Sequence, residues 1–165
     1  MVDRLMECLA IAGRQAGVVS VGQLQNAGMK RSRWRWLADT GRWKPVLPGV
    51  YRVVGAPETW HQQLRALNLW LKSDFALSHA TAAALHRFPG FSEGPLVATA
   101  VHNRRAPEGV TIHRVQSLST RDLASVTGLR VTTPTRTLLD LAGELSEEHL
   151  RHCLNDALRF KWTTL

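Results

Sequence analysis

The sequence predicts an α+β fold in two parts. An N-terminal winged helix-turn-helix is expected over residues 1–55, and a mixed α/β domain with a small sheet over residues 58–165. Three observations predict it. Helical and strand-like periodicities alternate along the chain, with neither dominating. In the first third, three helical stretches precede two short apolar runs that flank Leu47-Pro48-Gly49, a turn sequence. A Gly55-Ala56-Pro57 break then separates that block from a second series of helices and strands.

In the first block, Leu5, Leu9 and Ala12 recur at helical spacing, and Gly13 to Gly17 close that helix loosely. Val18-Val19 is a short apolar run ending at Ser20, whose hydroxyl suits the N-cap of a helix through Leu24 to Ala27. Gly28 ends that helix or makes the turn. Met29 to Thr40 reads as a third helix, closed by Gly41. Trp43 to Val46 and Val50 to Val54 should pair as a hairpin. Helix, turn, helix and hairpin in this order describe a winged helix-turn-helix, which sets its third helix in the DNA major groove and its hairpin beside the backbone.

The second block reads as a scaffold. Trp60, Leu64, Leu67 and Leu71 share one face of a helix over Thr59 to Leu71. Ala76-Leu77-Ser78 is a short extended piece, with Ser78 the expected N-cap of an alanine-rich helix from His79 to Arg87. Leu96 to Val101 and Val110 to His113 are strands joined by a polar loop. Ala124 to Thr127 and Leu129 to Thr132 flank Gly128 as a second hairpin. Thr133-Pro134 opens a helix running through Leu138, Leu139, Leu141 and Ala142, and Ser146 caps a last helix running to about Phe160.

Composition narrows the functional classes. With 44% hydrophobic and 21% charged residues the chain buries a core and is not disordered. No apolar run approaches the roughly 18 residues a membrane span needs. Met1-Val2-Asp3-Arg4-Leu5 lacks the pattern of a secretion signal. Cys8 and Cys153 alone build neither a disulfide framework nor a zinc site, so a reduced, cytoplasmic protein is expected.

The formal net charge is +8, and its distribution is uneven. Residues 1–55 hold nine basic against three acidic residues, whereas residues 56–165 hold twelve against ten. A polyanion partner for the first third follows, nucleic acid being the commonest, and the helix-turn-helix order makes double-stranded DNA the expected one. On the third helix, Trp34, Leu37 and Ala38 form one apolar stripe. Ser32, Arg35, Trp36 and Asp39 lie opposite, with Arg31 and Arg33 on the flanks. Arginine suits such a surface because its fork contacts guanine bidentately or clamps a phosphate. Cations in a first helical turn oppose the macrodipole, at about 0.3–1 kcal/mol each, so the Lys30-Arg31-Ser32-Arg33 start is mildly unfavourable without an anion. The alternative is a plain solvated helix start. The expected DNA-binding set is therefore Lys30, Arg31, Ser32, Arg33, Arg35 and Trp36, with Arg42, Lys44 and Arg52 around the hairpin.

No catalytic constellation emerges, and no enzyme activity, cofactor or metal is expected. His79 and His86 sit two helical turns apart without further ligands at matched spacing. His149, His152 and Cys153 cluster on the last helix, where only His149 and Cys153 share a face. Arg136 and Asp140 form an ordinary intrahelical pair. There is no glycine-rich phosphate loop and no nucleophile elbow.

Gly41-Arg42-Trp43-Lys44-Pro45-Val46-Leu47-Pro48-Gly49-Val50-Tyr51, after Val18-Val19-Ser20 and Gly28-Met29, resembles the N-terminal domain of AbiEi-family antitoxins of type IV toxin–antitoxin (abortive infection) systems. Ala76-Leu77-Ser78-His79-Ala80-Thr81-Ala82-Ala83-Ala84-Leu85 and Val131 to Ala142 resemble the family's second domain. The resemblance implies a transcriptional regulator that represses its own operon by binding inverted repeats in the promoter. It also implies a nucleotidyltransferase-like toxin as a second partner, and a protein-interaction module neutralising that toxin is the alternative function. Many relatives carry a capping serine where Lys30 stands. Many also continue into a domain resembling the very-short-patch-repair (Vsr-like) endonucleases, which these 165 residues do not include. The targeting half of such a nuclease is the third reading.

Overall fold

The computed structural model describes residues 4–71, 75–103 and 105–162. The fold is mixed α+β, built on one three-stranded and one five-stranded sheet. Two compact units divide the chain, Met1–Lys72 and Ser73–Leu165.

The first unit runs α1 (Arg4–Gly13), β1 (Val18–Ser20), α2 (Val21–Asn26), α3 (Arg31–Asp39), β2 (Trp43–Leu47), β3 (Val50–Val53) and α4 (Trp60–Leu71). Its sheet has the order β1-β3-β2, antiparallel throughout. Ser20 starts α2 with a reciprocal cap: its Oγ accepts from the Gln23 amide, and the Gln23 side chain accepts from the Ser20 amide at 3.0 Å. Gly28, at φ +72°, makes the turn into α3, and its carbonyl receives Arg4 Nη1 at 2.9 Å.

Both faces of this sheet are covered. On one side Val19 and Trp43 pack with Cys8, Ala12, Leu24, Trp34 and Leu37, and Tyr51 and Val53 border them. On the other, Val18 and Val50 pack with Ala66 of α4, bordered by Leu47, Leu69 and Trp70. The division between units consequently falls after α4, not at the Gly55-Ala56-Pro57 break. Strands apolar on both faces need two covering layers, and α4 is the second.

The second unit runs β4 (Phe75–Leu77), α5 (His79–Leu85), β5 (Leu96–Ala100), β6 (Val110–Arg114), β7 (Leu123–Val126), β8 (Leu129–Thr132), α6 (Pro134–Leu141) and α7 (Glu147–Arg159). Its sheet has the order β6-β5-β4-β8-β7. The pairs β4–β5 and β7–β8 are antiparallel, and β4–β8 and β5–β6 are parallel. Ala83, Phe88, Leu138, Leu141, Cys153 and Ala157 form a helical core. Thr133 and Ser146 cap α6 and α7, accepting from the amides of Arg136 and His149. Ser78 stands at the N-cap of α5 but makes no capping bond; its hydroxyl is engaged elsewhere. Among the described residues, no helix is long and apolar enough to cross a membrane.

Candidate functional site

Helix α3 owes its orientation to Trp34 and Leu37, which are buried against the first unit's core. Trp34 also lies 5.6 Å, centroid to centroid, from Tyr51 of β3. Anchoring that stripe turns the opposite face outward. Lys30, Arg31, Ser32, Arg33, Arg35 and Trp36 are all exposed.

The first turn of α3 is electrostatically unusual. Lys30 occupies the N-cap in an extended conformation, makes no side-chain capping bond, and no acidic residue follows in the first turn. Among the described residues, Arg31, Arg33 and Arg35 have no ion-pair partner. The helix N-terminus thus presents its free amides beside the guanidinium groups of Arg31 and Arg33, with Arg35 one turn further on.

Trp36 organises two of the cations. Its ring receives the Arg33 guanidinium carbon at 5.0 Å from the centroid and that of Arg42 at 5.1 Å. The Arg42 carbonyl accepts the Val54 amide at 3.0 Å, which fixes the backbone from which the guanidinium projects. Arg33, Trp36 and Arg42 therefore form one exposed cluster shared by α3 and the start of the hairpin.

Arg52 does not join it. The register pairs Arg52 with Val18 and with Lys44, on the face that α4 covers. Its side chain is buried and ion-paired with Glu58, so its charge is not offered to solvent. Side chains alternate along a strand, and Arg52 has the same parity as buried Val50. Arg52 is thus removed from the expected DNA-binding set. Lys44 is exposed at the edge strand, but shares the parity of Arg52 and not that of Trp43.

The second unit brings together a polar cluster that helical spacing did not reveal. His79 opens α5 directly after β4, in the left-handed region at φ +49°. His113 lies on β6, opposite Thr99 of β5. Their rings stack with centroids 3.8 Å apart and planes 15° from parallel. Glu144, between α6 and α7, sets Oε1 3.8 Å from His79 Nε2 and 3.9 Å from His113 Nε2. Behind them, Ser78 Oγ lies 2.9 Å from His79 Nδ1 and accepts from Thr99 Oγ1 at 2.7 Å. Asp140 accepts from Arg136 Nε at 2.7 Å through Oδ1, while its Oδ2 is buried without a partner. Burial, reinforced by the neighbouring His113, holds the His79 imidazole below the usual histidine range, against the pull of Asp140 and Glu144.

Two further histidines are held against backbone carbonyls. His86 Nε2 lies 2.7 Å from the Thr132 carbonyl. His149 Nε2 lies 2.9 Å from the Pro89 carbonyl, which the Cys153 thiol also approaches at 3.9 Å. Burial pushes the Cys153 thiol up, which disfavours the thiolate a metal would need.

These features define a two-unit α+β protein with a basic helix face in one unit and a histidine–carboxylate cluster in the other. No family model matches the chain. No curated protein matches it either. Among solved structures, it is similar to the RV2827C protein from Mycobacterium tuberculosis, at 20% identity and a TM-score of 0.50. The match covers 92% of this chain and 71% of that one, and at this identity it speaks to the fold alone.

Proposed function

We propose that the first unit is a winged helix-turn-helix that binds double-stranded DNA, and that the chain is a transcriptional regulator of the type IV antitoxin kind. In this reading α3 enters the major groove and the β2–β3 hairpin is the wing. The observation that carries it is the outward face of α3: three arginines without acidic partners among the described residues, on a helix whose first turn lacks both acid and side-chain cap. Such a turn is stabilised by an anion placed against it. Arg35 and Ser32 are the base-edge candidates. Lys30, Arg31, Arg33 and Arg42 supply phosphate contacts, and Trp36 holds Arg33 and Arg42 in place. Lys44 is a peripheral contact.

The test is a fluorescence-anisotropy titration of the full chain on a duplex from the region upstream of its gene, against a shuffled duplex of equal length. Preferential binding is expected, with log K falling against log salt at about −0.9 per neutralised phosphate. Arg35→Ala should reduce discrimination by about 1–3 kcal/mol. Equal affinity for both duplexes defeats the regulator reading.

A further inference from the structure

We propose that His79 Nε2, His113 Nε2 and a carboxylate oxygen of Glu144 form a binding site for one divalent transition-metal ion, with zinc the ion that suits it best. The three side chains come from the start of α5, from β6 and from the α6–α7 connection, and their ligand atoms lie within 4.8 Å of one another. Tetrahedral zinc with bonds of about 2.0–2.1 Å needs ligand atoms roughly 3.3 Å apart. The observed 3.8 and 3.9 Å separations from Glu144 need only a small contraction.

Closing the site requires the stacked rings to open into a V, because nearly parallel imidazoles do not aim their lone pairs at one point. The structure divides that task unevenly. His79 is held in place: its side chain is 9% exposed and its Nδ1 is engaged by Ser78. His113 and Glu144, at 36% and 46% side-chain exposure, have room to swing onto a bound ion. In the tautomer whose Nδ1–H donates to Ser78 Oγ, the Nε2 lone pair of His79 is free for a metal, the arrangement by which outer hydrogen bonds orient histidine ligands.

Two further observations point to a ligand. His79 is a non-glycine residue in the left-handed region, strain of the kind that gathers at binding sites. Asp140 belongs to the electrostatic surroundings of His79, with Oδ2 buried and unpartnered, and its charge favours a cation there while Arg136 opposes it. Two imidazoles and one carboxylate are a borderline ligand set that prefers zinc or iron(II) over magnesium or calcium. Three protein ligands leave a further coordination position for water.

The experiment strips the full chain with a chelator and titrates it with Zn²⁺ alone in competition with a chromophoric chelator, with Fe²⁺ and Mg²⁺ in parallel. Co²⁺ absorption reports the ligand field. One equivalent of Zn²⁺ should bind, with at least ten-fold weaker binding in His113→Ala and in Glu144→Gln. Both residues are partly exposed, so the variants are expected to fold, and thermal melting checks this. Ser78→Ala should weaken binding about 10–100-fold by releasing His79, and His152→Ala, on the exposed face of α7, should leave it unchanged. Tighter Fe²⁺ than Zn²⁺ binding, with the same loss in both variants, keeps the site and changes the preferred ion. Absence of stoichiometric Zn²⁺ or Fe²⁺ binding, binding untouched by His113→Ala and Glu144→Gln, or an equal response to Mg²⁺ overturns it.

Discussion

The guanidinium of Arg42 lies over the indole of Trp36, its central carbon 5.1 Å from the ring centroid. Arg33, one helical turn before Trp36, meets the same ring at 5.0 Å. A tryptophan that is 42% exposed would leave much apolar surface in water, but here it tethers two cations from different elements. Positioning charge before a partner arrives reduces the side-chain entropy lost on binding.

Trp36→Ala should therefore weaken DNA binding by about 1 kcal/mol, the scale of exposed cation–π contacts. The salt slope should stay constant, because no cation is removed. Arg42→Ala should instead lower the slope by about 0.9. Titrations at about 50 and 200 mM salt separate the two effects. A Trp36→Ala protein with wild-type affinity would show that the ring only covers its own helix.

Lys30→Ser tests whether α3 sacrifices stability for binding. Serine at the N-cap supplies the missing side-chain acceptor, and losing the cation relieves its conflict with the macrodipole. A gain of about 1 kcal/mol in unfolding free energy is expected, with a salt slope smaller by about 0.9. Denaturant melts read the first and anisotropy the second. A stabilised protein with an unaltered slope would place Lys30 outside the interface.

Arg52 should report on folding and not on DNA. Arg52→Ala removes a buried cation from the α4 side of the sheet and leaves exposed Glu58 unpaired. The loss should be about 1–3 kcal/mol, between the values for surface and buried pairs. Glu58→Gln should cost less but move in the same direction, because it strands the positive partner. Neither variant should change DNA affinity once folding is complete, and a lowered salt slope in Arg52→Ala would return that residue to the interface.

The contrast between Arg52 and Arg35 shows how far sequence reaches. Helical periodicity assigned the outward face of α3 correctly because Trp34 and Leu37 leave only one way to bury the helix. The hairpin was equally legible from Pro48-Gly49. The face of Arg52 was not, because its direction depends on which side of the sheet α4 covers, a tertiary fact. The same omission set the expected domain boundary too early. The grouping of His79 with His113 and Glu144 escaped notice because strand order, not spacing, unites them: the parallel β5–β6 pairing aligns His113 with Thr99, whose hydroxyl reaches Ser78. A search for ligands along single helices does not find such a site.

Acid should destabilise the second unit through His86. Burial lowers its affinity for a proton from the usual value of 6.5, a larger effect than the opposing contact with the Thr132 carbonyl. The unfolded chain consequently binds the proton more readily than the folded one. Its contribution to stability is full above about pH 6.5 and is lost as pH falls through the depressed folded-state value. His79 is shifted in the same direction, so melts in the presence of chelator should show a falling Tm from about pH 7 to about pH 5. His86→Gln keeps an amide donor for Thr132 while removing the titration, and should flatten part of that decline. An identical pH profile in His86→Gln would show that the imidazole titrates alike in both states and that burial does not govern its proton.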